Sequence, residues 1–183
     1  MYLLVVFVLV AIDQLTKWWA ASTFPLNGPD LALGLGFHFT YTRNTGAAFG
    51  ILQGGTFLLG ILSAVVSIAI FVYLLRSART MPRLQLAALT LILSGAIGNM
   101  IDRFLLGFVR DFIHFYVEGF NYPVFNVADM CVVGGAALLL LSSFFDKRNQ
   151  EVEAEDETSD AEFYSNSGNA ESTEVRTDTQ TDA

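Results

Sequence analysis

The chain of 183 residues is 53% hydrophobic and 15% charged with a mean hydropathy of +0.49, which excludes an ordinary soluble domain and points to an integral membrane protein. Its net charge of −8 is unevenly spread: residues 1–150 carry nine Lys/Arg against seven Asp/Glu, and residues 151–183 carry one Arg against eleven Asp/Glu. The membrane body is therefore nearly neutral, and nothing in it resembles a basic nucleic-acid surface. A single cysteine, Cys131, excludes an intramolecular disulfide, and no paired spacing suggests zinc.

The first predicted span runs from about Met1 to Ala21. The apolar run from Met1 to Ile12 has no basic stretch before it, and Asp13 and Lys17 stand where a signal peptide would carry its small-residue cleavage site, so it reads as a transmembrane helix. Asp13 and Lys17 are spaced i and i+4 with the acid first, a self-neutralising pair read as structural support. Trp18 and Trp19 suit the aromatic belt at a membrane interface. In the following segment, 22–55, Phe37, Phe39 and Tyr41 alternate with His38, Thr40 and Thr42, a period of two that predicts a strand in a small sheet on the membrane surface. NTGAAFG, Asn44 to Gly50, reads equally as a turn allowing close backbone approach or as a tight loop re-entering the membrane.

Three more spans are predicted, at about 57–75, 84–101 and 124–145. Arg76, Arg79 and Arg83 crowd the connection between the second and third, and Lys147 and Arg148 stop the fourth, which places both termini in the cytoplasm. Segments 22–55 and 103–123 then lie on the outer face, where Arg43, Arg103 and Arg110 need some reason other than topology. The fold class expected is an all-α membrane protein: a four-helix bundle over residues 1–148 with a small extracytoplasmic β-sheet element. Residues 149–183, acidic and nearly free of aliphatic side chains, are expected to form a disordered cytoplasmic tail.

A carboxylate at the bilayer centre costs about 2.5–3.5 kcal/mol on insertion scales, so aspartates in such a chain mark an interior with a purpose. Asn99, Asp102 and Arg103 share one face near the outer end of the third span, and Asp102, beside a cation, reads as a structural ion pair. Asp111 lies in VRDFI after an outer loop, and Asp129 lies in FNVAD with Asn126 on the same face. Asp129, far into an apolar span, has no lysine or arginine in its own helix turn and should be reluctant to ionise. Two aspartates can share one proton across a water, one acting as general base and the other as general acid, with no metal, serine or cysteine nucleophile required. Proton or ion transport, or an assembly subunit with plain structural polarity, would use the same residues. The chain shows no pair of similar halves with broken helices of the kind carriers use.

His38 and His114 fall short of a metal-ligand set and read as interfacial hydrogen-bonding residues. Cys131 reads as a small buried hydrophobe, and Ser63, Ser67 and Ser94 as groups that bond back to helix carbonyls.

DQLTK (13–17), NTGAAFG (44–50), GAIGNMIDR (95–103), VRDF (109–112) and FNVAD (125–129), in this order on four spans, together resemble lipoprotein signal peptidase, or signal peptidase II. The resemblance implies an aspartyl endopeptidase of the bacterial cytoplasmic membrane, without cofactor, that removes signal peptides from prolipoproteins by cutting before a diacylglyceryl-modified cysteine. It implies that Asp111 and Asp129 are catalytic. It further implies that Asn44, Asn99, Arg103 and Asn126 line the substrate site, and that Asp13, Lys17 and Asp102 support the structure. A monomer is expected, in contact with membrane lipid and prolipoprotein substrates, its active site toward the extracytoplasmic face. The acidic tail and the lack of basic residues at the N-terminus depart from the family pattern.

Overall fold

A computed structural model describes residues 1–46 and 52–145; the second half of NTGAAFG, the cations Lys147 and Arg148, and the acidic tail lie outside the described residues. By compactness the chain divides into Met1–Leu140 and Leu141–Ala183, and of the latter only residues 141–145, the end of a helix, are described.

Four helices are long and apolar enough to cross a membrane: α1 (Tyr2–Thr23), α2 (Thr56–Ser77), α3 (Arg83–Leu106) and α4 (Val127–Phe145). Strands β1 (Leu31–Gly34) and β2 (Phe37–Asn44) fall between α1 and α2, and β3 (Val109–Val117) and β4 (Phe120–Phe125) fall between α3 and α4. The helices are apolar on the outside, with Phe7, Leu15, Phe57, Ile68 and Leu140 all largely exposed, because hydrocarbon rather than water is their solvent. Val6, Leu74, Leu89 and Leu93 form a small core joining α1, α2 and α3. The remaining interior is polar: Asp13, Lys17, Asp102 and Asn126 are at most 1% exposed. In lipid, such groups are tolerated only where protein supplies their partners.

The described helices extend past the predicted spans at one end and stop short at another. α3 continues to Leu106 rather than ending near Ile101, and is closed by Gly107 at φ 77, whose N–H donates to the Arg103 carbonyl. α4 begins at Val127 because Val124 and Phe125 belong to β4. Segment 103–123, read from the sequence as an outer loop, is largely a hairpin of β3 and β4 that turns at Glu118 and Gly119, with Gly119 at φ 84. Ser94 bonds back to the Thr90 carbonyl as expected, but the buried Ser67 hydroxyl has no partner among the described residues.

The four strands form one antiparallel sheet in the order β1-β2-β3-β4. Its central pair, β2 with β3, joins segments that enter from opposite halves of the chain, and the register of that pair positions the site. Phe39 pairs with Ile113 and Thr42 with Asp111, so β2 carries one residue more than β3 between those pairs. This bulge shifts the alternation by one, which turns every later side chain to the other face. Thr42 and Asn44 thereby come onto the face of Asp111, to which an uninterrupted period of two from Phe37 and Phe39 would assign Tyr41 and Arg43. On the sheet, His114 bonds Asp30 through Nδ1 at 2.7 Å and Asn121 through Nε2 at 2.8 Å, tying the start of β1 to β3 and the β4 edge. The Asp30 carboxyl is held below its usual range chiefly by that histidine.

Candidate active site

Asp129 and Asn126 cap α4 reciprocally. Asn126 Oδ1 accepts from the Asp129 backbone N–H at 2.9 Å, and Asp129 Oδ2 accepts from the Asn126 backbone N–H at 3.1 Å. This is a capping box in which Asn and Asp replace the usual Ser/Thr and Glu, so the FNVAD segment orients its aspartate as a consequence of starting a helix. Asn126 therefore precedes α4 rather than sharing a face of it with Asp129, the arrangement its spacing had suggested.

The same asparagine reaches β3. Its Nδ2 donates to Asp111 Oδ1 at 2.7 Å and to Asn99 Oδ1 at 3.2 Å. Asn44 Nδ2 donates to Asp111 Oδ2 at 3.0 Å, and Asn99 Nδ2 donates to Asp129 Oδ1 at 2.8 Å. Each of the four carboxylate oxygens thus receives one N–H. Asp111 is 2% exposed. Burial, reinforced by the charge of Asp129 and opposed by the amides of Asn126 and Asn44 and by Lys17, pushes its carboxyl up to about 7.

Behind the aspartates lies a buried charge cluster. Lys17 Nζ is 2.8 Å from Asp13 Oδ2 and 3.8 Å from Asp102 Oδ2, and it donates to Asn99 Oδ1 at 2.9 Å. The spacing of Asp13 and Lys17 predicted their pairing correctly. The partner of Asp102, by contrast, is not its sequence neighbour Arg103. Arg110 grips both oxygens of Asp102, through NH2 at 2.6 Å, Nε at 3.1 Å and its backbone N–H at 2.9 Å, and also donates to Gln14 Oε1. Asp13 Oδ1 accepts from the Ala128 N–H at the start of α4, and a Cβ on Gly98 would lie 2.5 Å from Asp13 Oδ2. Arg110 and Gln14 escaped the sequence reading; the alternation of VRDFIHFYV, recognised as a strand, would have placed Arg110 opposite in phase to Asp111.

Arg43, Arg103 and Arg110, for which topology gave no reason, each have a local one. Arg110 neutralises Asp102, Arg43 lies over the Phe108 ring at 4.6 Å, and Arg103 reaches toward the Gly46 carbonyl with its buried Nε unpartnered among the described residues. Because Asp102 is fully buried, Arg110→Leu leaves its carboxylate the backbone N–H of residue 110, the Gln14 amide and, as a cation, only the more distant Lys17 among the described residues. The expected loss is about 3–5 kcal/mol, read as thermal unfolding in detergent, and much of it returns in Arg110→Leu/Asp102→Asn, which removes the stranded charge.

Asp111, Asp129, Asn44, Asn99 and Arg103 line a cleft of about 580 Å³. One wall is polar, formed by the sheet and the end of α3. The other is apolar, from Leu62, Val66, Ile92, Val132 and Val133, and reaches the outer surface of the helices, where Leu62 is 57% and Val133 62% exposed. The two carboxyl groups thus lie where a polar pocket meets an apolar groove that opens on the outer surface of the helices.

The sequence profile of the family described as Signal peptidase (SPase) II matches residues 5–145. A lipoprotein signal peptidase of Brevibacillus brevis is 41% identical over 150 residues, covering 81% of this chain and 99% of the relative. One from Halalkalibacterium halodurans is 39% identical over 152 residues, covering 83% and 97%. A solved structure described as a bacterial membrane enzyme, determined by the in meso method at 2.3 Å, superposes with a TM-score of 0.74 at 33% identity, covering 81% of this chain and 90% of that one. Profile, relatives and fold agree across the four helices and the sheet, and this chain belongs to the signal peptidase II family.

Proposed function

We propose that this aspartic-type membrane peptidase removes the signal peptide from diacylglyceryl-modified prolipoproteins, cutting N-terminal to the lipidated cysteine, with Asp111 and Asp129 as the catalytic pair. The observation that carries this reading is the placement of a buried aspartate, Asp111, and a half-buried one, Asp129, linked through Asn126, in a cleft whose far wall is apolar and open to lipid. The two acyl chains of the substrate lie against Leu62, Val66 and Val133, and the scissile peptide lies across the polar wall.

In the reaction, a water between the two carboxyl groups gives a proton to the ionised aspartate and attacks the scissile carbonyl carbon. The protonated aspartate gives its proton to the carbonyl oxygen. Collapse of the tetrahedral gem-diol breaks the C–N bond: the amine nitrogen takes a proton from the aspartate that accepted one from water, a gem-diol hydroxyl returns its proton to the other aspartate as the new carboxyl group forms, and the pair is left holding one proton. Asn44, Asn99 and Asn126 hold the carboxyl groups through N–H donation, and Arg103, with donors to spare, takes a substrate carbonyl oxygen. Asp13, Lys17 and Asp102 hold α1, α3 and the start of α4 together.

The enzyme is proposed to act as a monomer in the bacterial cytoplasmic membrane. Arg76, Arg79 and Arg83 between α2 and α3 set the cytoplasmic side, so the sheet and both aspartates face outward. The test is a gel-shift assay in proteoliposomes with a diacylglyceryl precursor and the same precursor unlipidated. Cleavage confined to the lipidated form is expected, and equal cleavage of both would overturn the assignment of substrate.

A further inference from the structure

The three asparagines that donate to the catalytic pair face a common problem: an amide turned by half a revolution would present its oxygen, not its NH2, to a carboxylate. Each is prevented from turning by a donor bound to its own oxygen. For Asn44 that donor is the Gly46 backbone N–H at 2.9 Å, and for Asn126 it is the Asp129 backbone N–H at 2.9 Å. Both are local devices, supplied by a turn and by a helix start. Asn99 sits within a helix and has no such backbone donor. Its oxygen receives Lys17 Nζ at 2.9 Å from α1, and, more weakly, Asn126 Nδ2 at 3.2 Å.

An ammonium group has only donors, so the atom of Asn99 that faces it must be the oxygen. We propose that Lys17, beyond pairing with Asp13, is a positioning residue of the catalytic pair: through Asn99 it directs an N–H at Asp129 and so keeps Asp129 as the ionised base, leaving the shared proton on Asp111. This rests on the reading of Asp111 and Asp129 as the catalytic pair. Without Lys17, only the 3.2 Å bond from Asn126 Nδ2 opposes a turn that brings the Asn99 oxygen to Asp129. A proton on Asp129 then has an acceptor waiting, and the carboxyl that should take a proton from water already carries one. Lys17 is fully buried, so no solvent molecule is at hand to replace its donation.

Other charged groups bear on the same carboxyl: Asp13 on α1, Arg103 on α3 and Asp111 on β3; Asp102 faces Lys17 instead, and is itself paired with Arg110. Removing Lys17 alone would leave Asp13 unbalanced, so the test neutralises both together. Asp13→Asn/Lys17→Met leaves Asn99 Oδ1 only the long bond from Asn126 Nδ2, whereas Asp13→Asn/Lys17→Gln keeps an uncharged donor in place of the ammonium. With the donor lost, kcat falls about 100-fold while KM changes little, and the acid-side limb of the pH profile moves up by about one unit. The glutamine variant returns most of the rate and the original limb.

If both variants lose rate equally with the limb unmoved, Lys17 serves structure alone and the inference is overturned. Should the methionine variant fail to accumulate, infrared titration of the native enzyme decides the matter. A protonated-carboxyl band at mildly acidic pH that is lost in Asp111→Asn and kept, with a lowered midpoint, in Asp129→Asn supports the assignment, and the reverse overturns it. Cleavage that persists in Asp111→Asn or Asp129→Asn would instead overturn the catalytic pair itself, so the two failures are distinguishable.

Discussion

Asp111→Asn and Asp129→Asn each lower cleavage of a diacylglyceryl precursor by about 10³-fold or more, the span general acid–base groups command when the reaction has no other route for its protons. The substitution conserves shape and removes only the ability to exchange a proton. Both sites already receive N–H groups, from Asn44 and Asn126 at Asp111 and from Asn99 and the Asn126 backbone at Asp129, so an asparagine oxygen can keep half of those bonds. The variants therefore accumulate as folded protein, and the loss lies in kcat. With the Asp111 carboxyl pushed up to about 7 by burial and by Asp129, the pair holds one proton below that point and loses it above. The expected profile of kcat/KM falls on the alkaline side near neutrality, and in Asp129→Asn the Asp111 titration moves down, because the charge that raised it has gone. Cleavage unaffected by either substitution would remove both residues from the chemistry.

The contrast between what could be read along the chain and what could not follows from the range of the interactions. The four spans are legible because bilayer thickness demands about 20 apolar residues in a row, a demand met within one segment. Asp13 and Lys17 are legible for the same reason, one helical turn apart. Asp102 is not: the nearest cation in sequence, Arg103, points into the cleft, and the cation that holds Asp102 arrives on β3 after the chain has turned at Gly107. A local rule chose the wrong arginine because ion pairing in a buried cluster is decided by which strand the fold lays alongside.

The sheet gives a second case. Alternation revealed β2, yet the bulge after Phe39 reverses the phase, and it is the reversed phase that brings Asn44 to Asp111. Nothing in FHFTYTRN announces that extra residue; it appears only when β2 is paired with β3. The β3–β4 hairpin was hidden by its position next to a long apolar helix, although Glu118–Gly119 and the alternation of 109–117 were signals that could have found it. Asn126 and Asp129 were recognisable as neighbours but not as a capping box, since the box is usually sought as Ser or Thr with Glu. The resemblance of five short blocks supplied the roles; the geometry supplies the reasons those residue types are needed.

Gly95→Ala is expected to disable the enzyme from a position in the cleft wall that carries no reacting group. A Cβ at Gly95 would run into the Ala128 carbonyl oxygen and come within 2.7 Å of Val132 Cγ2 and 3.1 Å of the Val132 backbone nitrogen. Two of those three atoms are backbone of α4 and cannot swing aside, so α3 and α4 must part. An alanine in a free helix would gain about 1 kcal/mol over glycine, and here that gain is set against an overpacking cost of about 1–3 kcal/mol or more. The larger consequence is geometric. Asn99 lies one turn beyond Gly95 on α3, and Asp129 directly follows Ala128, so the separation that admits a methyl group stretches the 2.8 Å bond between them. Activity should fall about 10²-fold, in line with a misplacement on the order of 1 Å, with a lowered thermal midpoint in detergent. Gly134→Ala is the matched control: its Cβ would meet nothing within 4 Å, so the variant keeps full activity and is as stable as the parent or slightly more so. Equal behaviour of the two alanines would mean that the close approach of α3 and α4 is not what holds Asn99 against Asp129.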